Sequence, residues 1–310
     1  MKEYTVSPSP HMRGSTSTAR IMLHVIIATI PAMIASAVFF GWRALTLVAF
    51  CALSAMLWER LIRAVMKRPD STDDLSAMVT GILLAFNLPV TMPIWMAGIG
   101  TFVSIVIVKQ LFGGLGQNFA NPAIVGRIVL MLSFTGHMTH WVLPKGVDAV
   151  STATPLVTEN SFSYLDLFLG RCGGCLGETS KLALLIGGAY LVIMRVITLH
   201  APLAFMGTVY LFSAAVGEDP IYQLLSGGLV LGAVFMATDY VTTPVTNKGR
   251  VAFGIGCGII TCVIRFWCNA PEGVSYSILL MNIVTPYIDM FTRKKAFGGA
   301  YGKNKKEAAK

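Results

Sequence analysis

GILLAFNLPVTMP (81–93) and GAVFMATDYVTTP (232–244) are two versions of one pattern. Each opens on a glycine, carries an apolar run, meets a proline twelve residues later and ends in Val-Thr-x-Pro. The apolar part is short for a bilayer crossing, which needs about 20 residues. Short segments interrupted by proline at matching positions of two halves mark a central site in membrane folds built from inverted repeats. Apolar helices share composition and Val-Thr-x-Pro is brief, so chance similarity is the competing reading.

The flanks favour the repeat. Apolar stretches fall at 21–41, 44–64, 75–88, 93–108 and 123–134, and again at 182–199, 201–216, 221–238, 251–268 and 274–291. Five per half is an odd number, so the halves enter the bilayer from opposite sides. The prediction is an all-α polytopic membrane protein of about ten transmembrane helices in two inverted five-helix repeats. Its parts are an N-terminal segment (1–20), a first half (21–135), a polar loop (136–181), a second half (182–292) and a basic tail (293–310). Composition agrees: 55% of the 310 residues are hydrophobic and 13% charged, about half the charge of a soluble domain.

The formal charge of +9 sits beside the spans, so it reads as topology and not as a nucleic-acid surface. With both termini on one side, eighteen of the 24 Lys and Arg share that side and five lie opposite, with Arg127 inside a span. The positive-inside rule makes the richer side cytoplasmic and turns the 136–181 loop outward. Glu59, Arg60 and Arg63, at the end of the second stretch, are expected to reach the headgroups. The N-terminal segment has no apolar core and does not read as a cleavable signal peptide.

No Ser–His–Asp, His-Glu-x-x-His or nucleotide-binding GxxxxGK[ST] pattern is present. His137 and His140, beside Trp141, read as an interfacial belt. Cys172 and Cys175 alone have metal-like spacing, and without a second matching pair no metal site is assigned to this chain. An iron–sulfur site shared with another subunit and a disulfide remain open alternatives. Arg127 at membrane depth demands an anion, a polar cavity or a partner acid. The turn GRCGGCLGETSK (170–181) leads into a helix that Thr179 or Ser180 can cap, and such a turn suits phosphate or a ring edge. Ser151-Thr152-Ala153-Thr154 is a hydroxyl cluster accessible to a modifying enzyme, or an ordinary polar loop.

Four motifs in order, NPAxVGR (121–127), SxAT-Pro-Leu (151–156), GGxxGETS (173–180) and FMATDYVTTP (235–244), resemble the NqrB/RnfD family over nearly the whole chain. The short N-terminus favours the RnfD branch over the quinone-reducing NqrB branch. The resemblance implies an electron-transfer subunit of a bacterial inner-membrane complex coupling ferredoxin:NAD+ electron transfer to Na+ or H+ translocation. It implies FMN held covalently as a phosphoester on Thr154, attached by a flavin transferase, with Thr152 as the competing hydroxyl. Ser151, Ala153, Asn121, Arg127, Gly173, Gly174, Gly177, Glu178 and Thr179 are the further cofactor-binding candidates. A second, non-covalent flavin such as riboflavin, partner subunits of an Rnf complex and a lipid bilayer are also implied. The competing readings are a solute channel or transporter of inverted-repeat fold, and a quinone-reducing subunit.

Overall fold

The computed structural model describes residues 17–142, 162–268 and 272–293. Among these the chain is helical throughout, with no strand. The first half holds α1 (Thr18–Phe40), α2 (Trp42–Val65), α3 (Ser76–Phe86), α4 (Ile94–Gln110), α5 (Pro122–Ser133) and the short α6 (Thr135–Met138). Further along the chain come α7 (Tyr164–Leu169), α8 (Lys181–Ile193), α9 (His200–Val216), α10 (Pro220–Leu225), α11 (Leu229–Leu231), α12 (Asn247–Trp267) and α13 (Gly273–Thr292). Helix therefore lies in each of the ten apolar stretches. Four of these helices, α1, α2, α12 and α13, are long and apolar enough to cross a membrane.

Two stretches differ from their sequence reading. The 182–199 stretch stops at Ile193, because Arg195 adopts a left-handed φ of 56° and the Val196 N–H turns back to Leu191 O at 2.9 Å. The 221–238 stretch is broken between α10 and α11. Gly227 has φ 62° there, and Arg265 of α12 donates to Gln223 O at 2.7 Å and to Ser226 O at 3.1 Å. Those bonds satisfy carbonyls that a continuous helix would have used itself, the condition for a break inside a membrane bundle. The helix resumes through α11 into a π-helical turn, Gly232–Met236. A second π segment, Val103–Gln110, ends α4.

Water-driven burial does not act between helices in lipid, so close backbone approach carries the association. Gly254 and Gly258, one turn apart on α12, let α9 in: a Cβ at Gly254 would stand 2.6 Å from Ala201 O. Across the halves α1 packs on α8 and α5 on α13. His24 of α1 and Tyr190 of α8 share a hydrogen bond of 2.8 Å. The outer faces of α1 and α2 stay apolar and exposed, as at Val38 (69%) and Leu53 (67%).

Glu59 does not reach the headgroups. It is fully buried, 2.9 Å from Lys109 Nζ, and accepts from Ser71 Oγ at 3.0 Å and from Gln110 Nε2. The π turn places Lys109 and Gln110 side by side toward α2. Arg60 is exposed beside Asp70, and Arg63 bonds Gln110 and Pro69 O.

Candidate functional site

Asn121 caps α5, accepting from the Ala123 N–H at 3.1 Å, with Pro122 at the first helical position. That is the chemistry of a firm helix start. The start fixes where Arg127 emerges, six residues on and 3% exposed. Its Nη1 donates to Asn87 Oδ1 at the end of α3 and to Glu178 Oε1 at 2.9 Å. Its Nη2 donates to Glu272 Oε2, just before α13, and lies 3.8 Å from Cys175 Sγ. Of the alternatives open to a buried arginine, the structure supplies partner acids, one just before α8 and one just before α13.

The GGxxGETS turn, buried from Cys172 to Ser180, is laced to the end of α3. Leu176 N–H bonds Leu88 O at 3.1 Å, Gly177 N–H bonds Phe86 O at 2.9 Å, and the Cys175 thiol donates to Asn87 O at 3.2 Å. A side chain at Gly177 would run into Phe86, so the close approach requires glycine. Ser180, and not Thr179, caps α8, accepting from Ala183 N–H at 3.3 Å. Thr179 is buried and donates to Leu176 O, and Lys181 donates to Glu178 O. The Glu178 carboxylate also abuts Gly228, at the break between α10 and α11.

Asn87 and Asn121 meet at one residue of the second half: Asn87 Nδ2 is 3.6 Å from Met236 Sδ, and Asn121 Nδ2 is 3.4 Å from Met236 O. Met236 ends the π turn inside the FMATDYVTTP motif. Three of the four motifs noted in the sequence thus converge on one buried hub. Gly173 and Gly174 lie in the same turn. Ser151, Thr152, Ala153 and Thr154 fall outside the described residues. Sequence reading missed Asn87 and Glu272 as hub members. Neither stands in one of the four motifs, and only the demand of Arg127 for a partner pointed toward them.

Cys175, Glu178 and Glu272 bring three metal-capable atoms within 4.8 Å of one another. Their shared neighbour is the Arg127 guanidinium, which already supplies the positive charge. Cys172 packs with Leu167 and Tyr222 instead. Burial pushes both the Cys172 and Cys175 thiols up, and Glu178 adds to it, so neither is primed as a thiolate. Two buried atoms of the hub, Arg127 Nε and Glu272 Oε1, have no hydrogen-bond partner among the described residues.

The profile of the NQR2, RnfD, RnfE family matches residues 5–298. The chain is 50% identical, over 98% of both sequences, to the D subunit of the Na(+)-translocating ferredoxin:NAD(+) oxidoreductase complex of Acetobacterium woodii. It is 42% identical, over 95% of this chain and 96% of the other, to the D subunit of the proton-translocating ferredoxin:NAD(+) oxidoreductase complex of Clostridium ljungdahlii. It is 38% identical, over 94% of each, to the D subunit of the ion-translocating oxidoreductase complex of Ectopseudomonas mendocina.

Proposed function

The chain belongs to the NQR2, RnfD, RnfE family, and from that we propose that it carries FMN on Thr154 within an ion-translocating ferredoxin:NAD+ oxidoreductase. Its place there is that of the membrane-embedded RnfD component, working with the other subunits of an Rnf complex. The names of the two relatives differ in the ion moved, so similarity assigns neither Na+ nor H+ to this chain.

The observation that carries the flavin reading is the hub. The GGxxGETS turn, downstream of the hydroxyl cluster, is locked to both halves by a buried arginine and two buried carboxylates. A loop that only connected two halves would have no need of that anchorage. FMN, when bound, supplies the electron-transfer chemistry, while the protein supplies position and surroundings. Thr154 would hold the phosphate through its side-chain oxygen. The hub fits a positioning role, because both terminal nitrogens of Arg127 are engaged by protein acceptors and the residue acts on the cofactor through the turn. Leu176 and Gly177 hold that turn against α3, Thr179 closes it on Leu176 O, and Glu178 ties it to Arg127. Arg127 Nε and Glu272 Oε1, buried and without a partner among the described residues, are the atoms left to meet an added polar group.

Ten crossings in inverted halves, with the flavin loop outward and both termini cytoplasmic, complete the reading. One cavity supports it: the starts of α1, α3 and α5 (Ile21, Ser76, Asn121) share its wall with the ends of α4 and α8 (Lys109, Leu191). In the first half helices leave that face at odd positions, whereas α8, the first of the second half, arrives at it. The same cavity lies between the halves, where a second, non-covalent flavin such as riboflavin belongs in this reading.

The test is flavin fluorescence in a denaturing gel, on protein co-expressed with a flavin transferase. A fluorescent band lost in Thr154→Val and kept in Thr152→Val is expected. No band in the parent protein overturns the covalent assignment, and loss in Thr152→Val alone moves it.

A further inference from the structure

On the face that the charge distribution makes cytoplasmic, α8 ends early and α9 and α12 begin. Between these ends lies a cleft of about 360 Å³, walled by Arg195, Thr198, Asp239, Tyr240, Thr243 and Arg250 among others. Two guanidiniums facing one space repel each other, and the single carboxylate there, Asp239, is engaged by the Thr242 hydroxyl at 3.0 Å. Arg250 is fixed in place: Nε donates to Pro244 O at 3.1 Å and Nη1 to Thr198 Oγ1 at 2.9 Å. Arg195 is different. Its side chain has no partner among the described residues, and its backbone holds a left-handed φ of 56°. Strain of that kind in a non-glycine residue collects at ligand sites.

The rim of the cleft is apolar and exposed, with Val245 (76%) and Tyr240 (51%) beside the arginines. A free phosphate has no use for such a rim; a phosphate carrying acyl chains has. Basic pockets between membrane helices at the cytoplasmic surface take anionic headgroups, and a guanidinium fork matches phosphate oxygens. We propose that this cleft is a binding site for one anionic phospholipid, its phosphodiester held by Arg195 and Arg250 and its acyl chains lying along Val245 and Tyr240. The site is separate from the hub and independent of the Thr154 assignment, and it shares Asp239 and Tyr240 with the wall of the cavity between the halves.

The intact complex, purified in detergent and stripped of lipid, is titrated with phosphatidylglycerol, and bound lipid is counted by native mass spectrometry. The parent complex is expected to take up one more tight phosphatidylglycerol than Arg195→Gln, with affinity at that site falling roughly fivefold for the loss of one arginine. Arg195→Lys retains part of the binding. Because Arg195 makes no side-chain bond within the described chain, its variants keep the fold, verified by subunit stoichiometry and melting temperature. Arg60→Gln, an exposed arginine elsewhere on that face, leaves the count unchanged. Equal counts in parent and Arg195→Gln overturn the site. An equal loss in Arg60→Gln reduces it to general surface charge and overturns it too. Displacement of the lipid by millimolar inorganic phosphate, or equal uptake of phosphatidylcholine, overturns the anionic-lipid assignment.

Discussion

Arg127 and Glu178, 2.9 Å apart and both buried, are 51 residues apart in sequence and meet at one point in space. Arg127 belongs to a helix of the first half. Glu178 belongs to the turn that opens the second. The pair, with Glu272, converts a loop connection into a fixed joint.

Removing the arginine leaves two buried carboxylates without their counter-charge. Breaking a buried pair in this way costs about 3–5 kcal/mol. Arg127→Met is therefore expected to lower the melting temperature of the purified complex sharply and to release the subunit on detergent washing. Arg127→Met combined with Glu178→Gln and Glu272→Gln is expected to recover part of the loss. A triple variant no better than Arg127→Met refutes the charge account.

Gly177 and Gly174 share a turn and differ in surroundings. A Cβ at 177 collides with Phe86, whereas one at 174 meets its nearest neighbour only at 3.9 Å. Gly177→Ala should cost about 1–3 kcal/mol through overpacking and reduce flavin incorporation, while Gly174→Ala should match the parent in both. Thermal melts and gel fluorescence, run side by side, decide it.

Burial holds the Cys172 and Cys175 thiols protonated above the ordinary thiol range near 8.5, whereas Cys268 is exposed. At pH 8 a maleimide should label Cys268 rapidly and the buried pair only after unfolding, as read by peptide mass spectrometry. The raised pKa also fixes the sign of the pH effect. These thiols contribute stability in full below the unfolded thiol pKa, and it is lost as pH rises above that value toward the folded one. Melting temperature should fall above about pH 8.5, and less steeply in Cys175→Ala compared at equal starting stability.

Glu59 and Lys109 form another buried ion pair. Lys109→Met alone should destabilise by about 3–5 kcal/mol, since Glu59 is left charged and dry. Glu59→Leu with Lys109→Met should restore most of that loss, because apolar replacement of both partners removes the desolvation cost. A double variant as unstable as the single one would show the π turn itself to be the weak point.

Much of the helical layout was legible because apolar length is a local signal. Helix lies in each apolar stretch, though 182–199 ends early and 221–238 is broken, and Arg127 stood out as a charge within an apolar stretch. What escaped was long-range or depended on exceptions to regular helix. Glu59 resembles any acid at a helix end until Lys109, fifty residues later, is rotated toward it by a π turn. The break at 226–228 shows in sequence only as Gly227-Gly228, and its stability depends on Arg265 from another helix. Glu272 has no local feature that separates it from a loop acid. In the hub, motif spacing pointed to Glu178 and Gly177, whereas Asn87 entered only through its carbonyl and amide contacts.

The lacing of the turn at 175–178 to the end of α3 has one more consequence. The chain before 143 and the chain after 161 are already held together by Arg127, Asn87, Cys175 and Glu178. The peptide backbone through 143–161 is thus redundant as a tether. A protease cut there would yield two fragments that stay one particle in detergent, and the two halves supplied as separate chains would have a ready-made seam along which to find each other.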